Sequence, residues 1–148
     1  MESATLSKPE MQWFEHVPKT ELHLHLEGAI PLNALWELLQ KYGGDPAIPD
    51  MRALEQRFAY RDFPHFIEVW VWKNQFLREY EDFTFIAEAV ARDLARQNIR
   101  YAEIFCSPPD FVRHGLQTQR LIEAISAGLA QVKEIETAIV VDLVRDFG

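Results

Sequence analysis

One short segment carries four ionisable side chains on a single face. Residues 20–27 read Thr-Glu-Leu-His-Leu-His-Leu-Glu, and the strict alternation predicts a strand. Leu22, Leu24 and Leu26 would share one face, and Glu21, His23, His25 and Glu27 the other. Side chains two apart project to the same side, about 7 Å apart at roughly 3.3 Å rise per residue. His23 and His25 can therefore converge on one cation, each nitrogen at about 2.0–2.1 Å if the ion is zinc. An antiparallel strand with its polar face in water would show the same alternation, so His-x-His alone leaves both readings open. In a parallel sheet both faces are normally covered, and four unpaired ionisable groups there would cost several kcal/mol. A metal is the simplest compensation. The pair also lies near the carboxyl end of its strand, where open α/β sheets and barrels build their sites. Two histidines do not complete a zinc site, so further ligands must come from elsewhere.

The surrounding elements decide between these contexts. Gly28 ends the strand, and Pro31 opens a helix at its first position, with Leu32, Leu35, Trp36 and Leu39 on one stripe. Gly43-Gly44 provides a left-handed stop. Pro46 and Pro49 precede a short helix over about 51–58. Asp62 caps the next helix, with Pro64 tolerated in its first turn. Its inner stripe is Phe63, Phe66, Ile67, Trp70, Val71 and Leu77; Val69, Trp72 and Phe76 widen the face and predict cover on more than one side. A long helix over 82–97 turns Phe83, Ile86, Ala87, Val90 and Leu94 inward. A second strand over 100–106 is closed by Ser107-Pro108-Pro109. A helix over 118–136 buries Leu121, Ile122, Ile125, Leu129 and Val132, and a third strand follows over 137–144. Strands separated by helical crossovers predict parallel pairing and an α/β fold. A sheet of three strands has two open edges, so the pattern reads as part of a larger one.

Composition narrows the function classes. The 148 residues are 48% hydrophobic, which suits a folded globular chain. A net charge of −8 offers no basic stripe for nucleic acid or for anionic membrane surfaces. The single cysteine, Cys106, cannot form an internal disulfide and reads as a small buried apolar residue. No apolar run suggests a signal peptide or a membrane span, and the cytoplasm is the expected location.

The run Pro18-Lys19-Thr20-Glu21-Leu22-His23-Leu24-His25-Leu26-Glu27-Gly28-Ala29 resembles the opening signature of the adenosine deaminase family, metal-dependent aminohydrolases on a (β/α)8 barrel. Phe66-Ile67-x-x-Trp70 resembles that family's hydrophobic lid over the base. Residues 101–108 resemble its second strand, and Val144-Arg145 its third. The resemblance covers the whole chain, while the family's proteins run to more than twice this length. It implies the N-terminal portion of a (β/α)8 barrel, about three strands with a helical insertion, as one incomplete domain over 1–148. It also implies zinc ligation by His23 and His25 and a substrate side formed by Glu27, Gly28, Phe66, Ile67 and Trp70, with Glu27 bonding a sugar-side hydroxyl. Zinc would lower the pKa of a bound water to about 7, and the hydroxide would attack C6 of a small purine nucleoside or related substrate, releasing ammonia. The family's third zinc histidine, its His-Ala-Gly-Glu proton shuttle and its Asp-Asp pair are not among these residues: His16, His65 and His114 lie in no such motif. The chain by itself is expected to bind zinc weakly and to catalyse nothing, its partner being the missing C-terminal part of the barrel.

Two departures leave the substrate open: Phe105 stands where many family members carry arginine, and Glu27 where animal adenosine deaminases carry aspartate. Glu103 is expected to pair with Arg100 or Arg145, and Asp142 to join an ion pair at the end of the third strand. Two other readings compete. Phosphoesterases and other amidohydrolases also open with His-x-His, but they need further ligands soon after the first strand, and none follows. A non-catalytic half-barrel that binds a partner through its open edges is the third.

Overall fold

The computed structural model describes residues 13–143. Three parallel strands form its sheet: β1 (Lys19–His25), β2 (Ile99–Cys106) and β3 (Glu136–Val141), in the order β1-β2-β3. The helices are α1 (Leu32–Lys41), α2 (Met51–Arg57), α3 (Phe63–Asn74), α4 (Tyr80–Arg96), the short α5 (Pro109–Val112) and α6 (Thr118–Leu129). The α/β reading and the parallel pairing therefore hold, and both outer strands leave an edge unpaired among the described residues. No helix among those residues is long and apolar enough to cross a membrane.

Local chemistry accounts for most element ends. Asp50 and Asp62 have extended backbone and accept from the N–H groups of Ala53 and His65, each at 2.8 Å, which caps α2 and α3. Gly43 and Gly44 take φ of +88° and +77°, which lets the chain turn away after α1. Pro31 sits one place outside α1, at its N-cap.

The core lies between the sheet and its covering helices. Leu26 and Ile104 from the sheet side, Leu35 and Leu39 from α1, Phe83 and Ile86 from α4, and Leu121 and Ile125 from α6 are fully enclosed. Complete burial of each such side chain contributes about 1.5–3 kcal/mol. α4 and α6 approach closely at Gly128, where a Cβ would run into the Thr84 carbonyl and lie 2.9 Å from the Cβ of Ala87. The end of α1 is tied to the start of α4 by Asp82, which is buried and accepts from Lys41 Nζ at 2.5 Å, Tyr42 Oη at 2.6 Å and the N–H groups of Arg78 and Glu79 at 2.8 and 2.9 Å.

Several sequence expectations need correction. β1 stops at His25, so Glu27 sits in a 3-10 turn (Glu27–Ala29) and not in the strand. The register of β1 against β2 slips between Glu21 and Leu24, and the alternation fails there: Leu22 is 58% exposed although Leu26 is enclosed. α3 is rotated by about a quarter-turn from its expected stripe. Val69 and Lys73 are buried, while Phe63 is 72% and Val71 54% exposed, so the helix is not covered on several sides. Its aromatics occupy both faces, and tertiary placement, not periodicity, selects the buried one. α6 ends at Leu129, well short of 136, because residues 130–135 must carry the chain back to the start of β3; Val132 and Ile135 are still buried in that turn. Glu103 accepts from Tyr101 Oη at 3.3 Å, and Arg100 donates to the carbonyl of Glu134 instead. Asp142 lies just past β3, and its buried Oδ1 has no hydrogen-bond partner among the described residues; the ion pair expected for it involves Arg145, which is not one of them. Val144 and Arg145 lie outside the described residues.

Candidate metal and purine site

Because the strands are parallel, their carboxyl ends gather on one side of the sheet. His25 ends β1, Ser107 follows β2 and Asp142 follows β3. The backbone is continuous across this end, with Leu26 N–H donating to the Phe105 carbonyl at 2.9 Å and Asp142 N–H to the Cys106 carbonyl at 3.1 Å.

His23 and His25 stand on the same side of β1 with ring centroids 5.3 Å apart. Phe105, on the neighbouring strand, stacks on His23 at 4.2 Å with planes 12° apart and lies 5.7 Å from His25. The benzyl group thus backs both imidazoles and restrains their planes. Two imidazoles so placed suit a borderline-soft cation such as zinc. No group of three or more histidine, cysteine, aspartate or glutamate side chains among the described residues could enclose a metal. Burial first, then Glu27 and Asp142, pushes the Cys106 thiol up to about 12.

Beside His25 lies a cleft of about 240 Å³ lined by His25, Phe66, Ile67, Trp70, Ser107 and Asp110. Trp70 meets His25 nearly perpendicular at 6.1 Å, and Phe66 lies 5.9 Å from Trp70. Of the expected lid, Phe66 and Trp70 are half-buried and Ile67 is exposed, and all three line the cleft. Gly28 permits this approach, since a Cβ there would sit 3.2 Å from Trp70 Cζ3. Ser107 and Asp110 were not anticipated as lining residues. Their position directly after the carboxyl end of β2 was the available signal.

Glu27 differs from a simple wall residue. It is 1% exposed, and neither carboxylate oxygen completes a hydrogen bond. Burial holds its carboxyl well above the usual carboxylate range. Its own backbone N–H, the Lys73 ammonium and the Ser107 N–H pull the other way, and Asp142 adds to the rise. Lys73 of α3 is its counterpart, 2% exposed and held well below the usual lysine range by burial, with Glu27 opposing. Sequence reasoning passed over Lys73. Its place four residues after Val69 and three after Trp70 puts it on the buried stripe of α3.

The sheet end, the histidine pair and the aromatic cleft can be set beside known proteins. The family model described as adenosine deaminase matches residues 18–145. An adenine deaminase of Bordetella avium is 30% identical over 136 residues, covering 90% of this chain and 43% of that protein. An aminodeoxyfutalosine deaminase of Streptomyces coelicolor is 35% identical over 109 residues, covering 74% of this chain and 28% of that protein. A zinc-bound amidohydrolase of Burkholderia ambifaria superposes with a TM-score of 0.78 at 25% identity, over 93% of this chain and 38% of that one. The chain thus spans less than half the length of these relatives, and its three strands match part of their barrel fold. With the match running from the approach to β1 to the residues after β3, the chain belongs to the adenosine deaminase family.

Proposed function

We propose that these residues form the N-terminal part of a zinc-dependent aminohydrolase acting on adenosine or a related 6-aminopurine. Water adds at C6, the C6–N bond breaks, and ammonia leaves with the 6-oxo product. The observation that carries the reading is the His23–His25 pair at the carboxyl end of a parallel strand, opening directly onto an aromatic cleft that shares His25. His23 and His25 would hold the ion, and a bound zinc supplies a water activated at neutral pH.

The chain's own residues do the rest of what this part of the site requires. Phe66 and Trp70 present flat apolar surfaces to a purine ring, and Ile67 borders it. Glu27, adjoining Gly28, has two acceptor oxygens without side-chain partners and would accept a hydrogen bond from a hydroxyl on the substrate side. The remaining ligands and the proton-shuttling group would come from the length of the relatives that this chain does not span. The substrate is a small molecule. A net charge of −8 gives no support to a nucleic-acid partner, and the cytoplasm is the location proposed for this activity.

Ammonia release tests the reading. The full-length gene product is incubated with adenine, adenosine and N6-modified adenosine in turn; if a separate chain carries the remaining strands, the two are assayed together. Zinc-dependent ammonia release from at least one is expected. No release from any of them, by folded and zinc-loaded protein, would contradict it.

A further inference from the structure

Among the described residues four polar or charged side chains are buried: Glu27, Lys73, Asp82 and Ser107. Asp82 is explained by its four donors, and Ser107 lines the cleft. Lys73 has no such explanation. Its one hydrogen bond runs 3.3 Å to the side chain of its neighbour Asn74. Removing an ammonium from water costs several kcal/mol, and a leucine or methionine would fill the same space without that cost. What Lys73 does face is informative. Its Nζ lies 3.7 Å from the centre of the Trp70 ring. Trp70 in turn touches Gly28, stands against His25 and leans on Phe66.

We propose that Lys73 is a positioning residue of the site, holding the Trp70 ring in place so that the lid helix α3 and the histidine strand β1 keep a fixed gap for the substrate ring. Trp70 passes this restraint to the turn after β1, where it closes against Gly28. Lys73 touches neither substrate nor metal. It acts through Trp70, which lines the cleft, so this inference rests on the aminohydrolase reading.

The test compares Lys73→Met, which keeps length but loses charge, with Lys73→Arg, which keeps both the charge and the stacking on Trp70. Two readouts are taken on the full-length gene product: steady-state kinetics, and amide hydrogen exchange over α3 with α4 as internal reference. Lys73→Met is expected to raise KM at least tenfold with kcat within about threefold, and to speed exchange in α3 but not in α4. Lys73→Arg is expected to restore both toward wild type. Unchanged KM and unchanged α3 exchange in Lys73→Met would overturn the proposal, as would equal acceleration in α3 and α4, which marks a merely structural role. Should Lys73→Met fail to fold, Lys73→Gln is read by the same two measurements and the same criteria. If the wild type releases no ammonia from any 6-aminopurine, the aminohydrolase reading falls, and the comparison of exchange in α3 and α4 decides the role of Lys73 alone.

Discussion

His25 and Trp70 meet nearly at right angles, ring centroids 6.1 Å apart, one at the end of the first strand and the other on a helix 45 residues later. The contact joins the histidine-bearing side of the sheet to the apolar wall of the cleft, so a change in either is felt by the other. Gly28 makes the approach possible, because its missing side chain leaves room for the indole.

Gly28→Ala therefore tests the closeness of that approach. The added methyl would sit 3.2 Å from Trp70 Cζ3, and the ring must yield by a few tenths of an ångström. The expected cost in stability is at the low end of overpacking, about 1 kcal/mol. KM is expected to rise several-fold while kcat changes little. Steady-state kinetics with a thermal melt on the same preparation separates the two effects.

Phe66→Ala removes an aromatic surface from the cleft without touching the histidines. Phe66 is half-buried and packs on Trp70 at 5.9 Å. A tenfold rise in KM, about 1.4 kcal/mol, is the expected effect, with zinc content unchanged. An unaltered KM would place the substrate ring elsewhere.

Gly128→Ala probes the fold away from the site. A Cβ there collides with the Thr84 carbonyl and crowds Ala87, both on α4. Backbone cannot move aside as a flexible side chain can, so a loss of at least 1–3 kcal/mol is expected, read as a lower denaturant midpoint. A midpoint within error of wild type would show that α4 and α6 do not pack as described.

Asp82 gives the fold an acid sensitivity. Burial alone would raise its carboxyl, but the hydrogen bonds from Lys41, Tyr42 and the N–H groups of Arg78 and Glu79 outweigh it and hold it below its ordinary value of 3.8. A carboxyl depressed on folding stabilises above its unfolded pKa, and that stabilisation is lost as pH falls through the folded value. Stability should therefore decline below about pH 4 in the wild type. Asp82→Asn should cost about 1.5–3 kcal/mol at neutral pH and flatten the decline. Denaturant melts between pH 3 and pH 7 check both.

Legibility in the sequence followed single-faced patterning. Phe83, Ile86, Ala87, Val90 and Leu94 recur on one stripe of α4, and all are buried as expected. Asp62 reads as a cap from its type and place, and its carboxylate caps α3. α3 itself was misread because apolar residues cover both of its faces, and only packing against the body decides that Val69 and Lys73 turn in while Phe66 and Ile67 border the cleft. Glu27 reads from alternation as sharing one strand face with His23 and His25. The early end of β1 places it instead in a buried turn, where its carboxyl feels the charge of Lys73 on a helix 46 residues away. No local pattern carries that information.

The central claim is that His23 and His25 are metal ligands, and metal content tests it most directly. Zinc is measured by elemental analysis in the full-length gene product and in its His23→Ala/His25→Ala variant, with circular dichroism to confirm folding. About one tightly held zinc per complete site is expected in the wild type and almost none in the folded variant. A folded variant that retains the wild-type zinc content would contradict the account.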